Sequence, residues 1–157
     1  MSATPPRNWE AIADRFEIAE LLDRYAHAID AWDWDLLATV FAADAVVDFS
    51  SVGQYVEGEA KVRGFDAIVA WYKMALAPFF GVLHFMGNHL VTLDGDVART
   101  KSYMHVLSMP MGGLYQTECV RTPAGWRIRL LLLDERRFED VEARLRAHMA
   151  SIDRGNG

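Results

Sequence analysis

Two apolar runs of strand period, residues 82–93 and 97–107, flank the dipeptide Asp94-Gly95. Strand side chains alternate between two faces, and a two-residue loop containing Gly folds one such run back on the next. The pair therefore places the second half of the chain in an antiparallel meander. A third long strand fits Leu114 to Arg121, Thr122-Pro123-Ala124-Gly125 turns the chain, and Trp126 to Leu133 forms the last strand. Upstream the period is helical. Ile18, Leu21, Leu22, Tyr25 and Ile29 recur at three and four residues in a helix starting near Trp9. Asp33 is placed to cap a second helix running through Phe41, and a third fits Asp66 to Leu76, ended by Pro78. Between them Ala45 to Phe49 reads as a short strand and Gly53 to Gly58 as a turn or ragged hairpin; a final helix spans about Arg136 to Ile152.

Helices first and long antiparallel strands afterwards argue an α+β fold, with the helices packed on one face of a curved sheet. A strongly bent mixed or antiparallel sheet wrapped around N-terminal helices makes a cone-shaped barrel with an apolar interior, suited to a hydrophobic small molecule. At 157 residues the chain fits one domain, taken as 9–153 after a flexible start at 1–8. Phe41, Tyr72, Met86, Met104, Val106 and Tyr115 would line the interior as substrate-binding residues, or simply fill a core.

Composition narrows the function. Sixteen Lys and Arg against twenty-two Asp and Glu give a net charge of −6, with no basic block, so nucleic acid is not an expected partner. The longest aliphatic run, Leu130 to Leu133, is far short of a membrane span, and the N-terminus has no apolar stretch of signal-peptide length; a cytoplasmic protein without a membrane partner is expected. One cysteine, Cys119, excludes a disulfide within the chain. Nucleotide-binding glycine motifs and HExxH are absent, Gly112-Gly113 reads as a turn or bulge, and none of the five histidines has metal-ligand spacing. Neither cofactor nor metal is expected.

Among the histidines, His84 lies within apolar strand residues, where a neutral imidazole can act as a base or serve as a core residue held by one hydrogen bond. His84 and His89 point to opposite faces unless a bulge intervenes. An ideal register around Asp94-Gly95 sets His105 opposite His84; a bulge near Gly87-Asn88 would move it to the outer face, and the sequence leaves this open. His27 follows Asp23 by one helical turn, as in a solvated pair, and His148 lies in the basic C-terminal helix. Asp30 ends the first helical stripe, where it is either a turn former or, buried beside His84, the carboxylate that orients the imidazole. On an ideal helix Asp30 and Tyr25 lie about 140° apart, so they converge only where the helix unwinds.

Residues 18–49, opening with Ile18-Ala19-Glu20-Leu21-Leu22-Asp23-Arg24-Tyr25 and Asp30-Ala31-Trp32-Asp33-Trp34-Asp35, together with His84-Phe85-Met86-Gly87-Asn88, resemble the SnoaL-like, scytalone dehydratase-like branch of the nuclear transport factor 2-like superfold. Asp94-Gly95-Asp96-Val97-Ala98 and Gly125-Trp126 resemble its later hairpins. The resemblance implies a cone-shaped α+β barrel and a dimer or trimer. Scytalone dehydratase and hexachlorocyclohexane dehydrochlorinase use an Asp–His dyad, for which the matching positions are Asp30 and His84. Bile-acid 7α-dehydratase adds a tyrosine, matched by Tyr25. The implied chemistry is elimination: His84 removes a proton from carbon, Asp30 supports it, and Tyr25 polarises or protonates an oxygen. Val106, Ile29 and Ser108 stand where those enzymes carry further polar groups, so their substrates are not carried over. The expected function is a cofactor-independent lyase acting on a hydrophobic aromatic or polycyclic small molecule. The alternatives are an isomerase or cyclase on the same scaffold, or a non-catalytic binding module. A homo-oligomer, trimer or dimer, is expected; Arg99, Lys101, Tyr103 and, if a bulge turns it outward, His105 form the outer face, as a subunit contact or a solvated surface.

Overall fold

The computed structural model describes residues 8–55, 58–79, 81–107, 111–137, 144–146 and 148–149. Helix α1 (Trp9–Ala31) starts at Asn8, whose side chain accepts from the Ala11 amide, and buries Ile18, Leu21, Leu22, Tyr25, Ala28 and Ile29 as one stripe. It stops at Trp32, which adopts a left-handed conformation at φ 56°, while the Asp33 amide returns to the Ala28 carbonyl. Asp33 caps α2 (Trp34–Ala38) through the Leu36 amide. Strand β1 (Phe41–Asp48) follows, then a 3₁₀ segment (Ser50–Tyr55), β2 (Lys61–Arg63), α3 (Phe65–Leu76), β3 (Leu83–Asp94), β4 (Val97–Leu107), β5 (Met111–Thr122) and β6 (Gly125–Arg137).

The six strands form one curved, unclosed sheet in the order β2-β1-β6-β5-β4-β3. All neighbours are antiparallel except β1 and β6, which run parallel and bring the last strand back beside the first. The core lies between α1, α3 and the inner face of the sheet, and includes Leu37, Val47, Ile68, Val106, Cys119, Ile128 and Leu131.

Four expectations need correction. The second helix ends at Ala38, and Phe41 begins a strand instead. Arg136 belongs to β6, so the final helix cannot begin there; helical turns occur at 144–146 and 148–149, and the rest of that predicted helix, like residues 1–7, lies outside the described residues. Gly112 and Gly113 pair with Arg136 and Glu135 inside a continuous ladder. A Cβ on Gly113 would come within 2.6 Å of the Asp134 carbonyl oxygen, so glycine permits close strand approach there. The hairpin loop is Gly95-Asp96 rather than Asp94-Gly95: Asp94 pairs with Val97, and Gly95 takes φ 60°. Strand β2 was unmarked in the sequence because three residues are too few to show a period.

Candidate active site

Asp30 sits in the last turn of α1 and His84 near the start of β3, and their side chains meet. Asp30 Oδ1 lies 2.5 Å from His84 Nδ1, and Asp30 Oδ2 accepts from the His84 backbone amide at 2.9 Å. Both side chains are about nine-tenths buried, at 9% and 11% exposure. Topology explains the second bond. Strand β3 is an edge strand, whose outward amides have no ladder partner, and α1 covers that edge. Arg15 likewise donates to the Val91 carbonyl. An ionised carboxylate only accepts, so Nδ1 carries the proton and Nε2 keeps the lone pair. The last turn of α1 contains no basic residue, and a helix C-terminus favours positive charge. A carboxylate from that helix end thus meets the His84 ring.

A bulge turns His84 inward. The β3–β4 register shifts between Gly87 and Leu90, with Asn88 in the left-handed region at φ 53°. On the hairpin side, His89, Val91 and Leu93 face the helices; beyond the bulge, His84 and Met86 do so. Without the extra residue His84 would share the outer face with Leu90. The same shift pairs His84 with Val106 and Phe85 with His105. His105 is exposed on the outer face, where Nδ1 lies 2.8 Å from the Met111 carbonyl oxygen.

Tyr25 takes another partner. Helix α1 continues past Asp30 to Ala31, and the Tyr25 hydroxyl bonds Tyr72 at 2.8 Å and Tyr115 at 3.4 Å. Burial pushes all three phenols well above their ordinary range, and the Asp30 charge adds to the shift at Tyr25 and Tyr115. They remain neutral donors beside the dyad. A tight crevice, too narrow to admit a water molecule, adjoins the dyad, lined by Ile29, Asp30, Trp32, Leu76, Val82 and His84 among others. None of Phe41, Tyr72, Met86, Met104, Val106 or Tyr115 lines it: Met86 packs at the core's margin and the other five are buried within the core. The left-handed Trp32 brings its indole to the crevice wall, which neither period nor motif indicated.

Ser102 escaped the sequence reading, and His89 takes partners that the sequence did not indicate. His89 Nδ1 lies 2.8 Å from Ser102 Oγ, and His89 Nε2 lies 3.6 Å from Asp23 Oδ1. Asp23 thus faces β3 rather than His27. The bulge was the only signal that could have placed His89 inside. Among the described residues no group of three His, Cys, Asp or Glu is placed to hold a metal ion, and no helix is long and apolar enough to cross a membrane.

Helices laid against a curved sheet, with a carboxylate–imidazole pair at one end of their seam, define a nuclear transport factor 2-like scaffold of the cystatin-like kind. Residues 10–132 match the SnoaL-like domain, and the chain belongs to that family. Uncharacterized proteins of Mycobacterium tuberculosis and Mycobacterium bovis are 34% identical to it, over 74% of this chain and 82% of theirs. The crystal structure of the Kfla4162 protein from Kribbella flavida superposes with a TM-score of 0.70 at 27% identity, over 80% of this chain and 92% of that one. Hexachlorocyclohexane dehydrochlorinase LinA-type3 from Novosphingobium barchaimii shares the fold, with a TM-score of 0.69 at 16% identity, over 84% and 92% of the two chains. Family and scaffold make this chain a small-molecule-converting enzyme or a small-molecule binder.

Proposed function

We propose that the protein is a cofactor-independent lyase that eliminates water, or a comparable leaving group, from a hydrophobic aromatic or polycyclic small molecule. The observation carrying this reading is the buried contact between Asp30 and His84. His84 Nε2 takes a proton from substrate carbon, and Asp30 holds the ring and balances the imidazolium. The neutral phenol of Tyr25, backed by Tyr72 and Tyr115, donates to the oxygen that gains charge or departs. The dehydrochlorinase that shares this fold supports elimination as the reaction class. The crevice beside the dyad has no room for a ligand as it stands, so this reading requires it to widen toward Met86, Met104, Val106 and Phe41. The thioethers of Met86 and Met104 can re-pack at low cost.

The test is a mass-spectrometric screen of aromatic and polycyclic β-hydroxy ketones for loss of water, run in heavy water. With a converted compound, His84→Ala is expected to lower turnover by about 100-fold or more in a variant that remains folded by circular dichroism. Wild-type turnover in that variant removes the proposal. Deuterium uptake without loss of a leaving group assigns the isomerase reading instead, and binding without conversion assigns the binding module.

The outer face of the sheet is proposed to seat a second copy of the chain, in a dimer or trimer. Phe85, Leu90 and Tyr103 stand there 66%, 70% and 61% exposed, an apolar strip that isolated proteins rarely present. Lys101, Arg136 and Arg144 line the same groove.

A further inference from the structure

Three side-chain links join α1 to the edge strand β3. Arg15 reaches the Val91 carbonyl, Asp23 faces His89, and Asp30 meets His84. Asp23 and Asp30 are seven residues apart, two helical turns on one face of α1. His89 and His84 flank the bulge and share the inner face of β3. The carboxylate–imidazole pair of the dyad is thus repeated two turns earlier, and the second pair has an anchor that the first lacks. Ser102 on β4 is fully buried, and its hydroxyl holds His89 Nδ1.

We infer that His89 is a positioning residue for the dyad: by tying β4 to α1 directly after the bulge, it fixes the strand register that presents His84 to Asp30. The inference rests on the reading of Asp30 and His84 as a working pair. Asn88, at φ 53°, sits within the bulge of β3, and a backbone in that region holds only where neighbours determine it. On the far side of Asn88 the nearest such determinant is the side chain of His89. The Asp23 contact, at 3.6 Å with Asp23 57% exposed, guides the helix weakly; the Ser102 bond is buried and bears most of the constraint.

The test reads the dyad without a substrate. In protein labelled with ¹⁵N-histidine, the His84 Nδ1 proton, held in a 2.5 Å bond, resonates far downfield of ordinary imidazole protons. In His89→Ala that resonance is expected to move upfield and to exchange with solvent about tenfold faster, equivalent to about 1.4 kcal/mol of easier local opening. Ser102→Ala, which removes one hydroxyl and spares the ring, is expected to do the same and decides the matter where His89→Ala does not fold. His89→Asn keeps a polar group at the Nδ1 place and restores the signal. Val91→Ala, a truncation on the same face, lowers the melting temperature and leaves the signal in place. A folded Ser102→Ala or His89→Ala with an unmoved resonance overturns the inference alone, as does an equal displacement in Val91→Ala. A native protein without the downfield proton removes the dyad, and the inference with it.

Discussion

At Tyr25 a single hydroxyl joins α1 to α3 and β5 through Tyr72 and Tyr115. All three rings are buried, and burial raises each phenol above the value of about 10 at which it ionises in an unfolded chain. The folded state therefore keeps protons that the unfolded state releases at alkaline pH. The stability tied to these protons is complete below about pH 10 and is lost above it. Thermal melts are expected to fall steeply from about pH 10 upward, and Tyr72→Phe should flatten that fall while costing about 1 kcal/mol at neutral pH. An alkaline limb unchanged in Tyr72→Phe would exclude the phenols as its source. The chemistry at this scale was only partly legible. Asp30 and His84 came from the resemblance, not from periodicity, which left each with a bland reading. Tyr25 was marked as a companion of Asp30, yet its hydroxyl turns to Tyr72 and Tyr115, because α1 does not unwind before Asp30. Where α3 docks its tyrosine is a tertiary fact that no local pattern in α1 encodes.

Among the elements, β3 carries the most information per residue. Its burial alternation is regular on each side of Gly87-Asn88 and changes phase across it, while Leu83, Phe85, Val91 and Leu93 keep one phase in the sequence, so both halves were legible as strand and the face of His84 was not. The loop was misplaced by one residue, since Asp94-Gly95 and Gly95-Asp96 both satisfy the turn rule, and only the pairing of Asp94 with Val97 separates them. Capping residues were more faithful: Asp33 opens α2 as its side chain requires, although α2 ends early. Deleting Asn88 removes the extra residue and should swing His84 to the outer face, beside Leu90. The expected result is a folded protein without the downfield His84 proton and without turnover. Asn88→Val should keep the count but cost about 1–2 kcal/mol, because a β-branched residue resists a left-handed backbone. Melting curves of Asn88→Val and Asn88→Gly would separate strain from count, with glycine neutral.

For the whole molecule, the order of helices and strands was readable because each long element has a clear period, and the sheet's antiparallel part followed from its hairpins. The parallel pairing of β1 with β6 was not readable, since it joins strands some eighty residues apart with no turn to announce it. The apolar outer face bears on assembly at the same scale. Phe85→Glu combined with Tyr103→Glu should leave the fold intact and convert the proposed oligomer to a monomer, measured as molar mass by light scattering. A monomeric native protein would sink that reading. The position of β6 carries a further consequence for biosynthesis. A nascent chain that has released β5 but not yet β6 has the edges of β1 and β5 uncovered at once, the two surfaces on which stray strands pair. The helix and strand that carry Asp30 and His84 emerge long before this, so both partners of that contact are out of the ribosome while the sheet still lacks its middle strand.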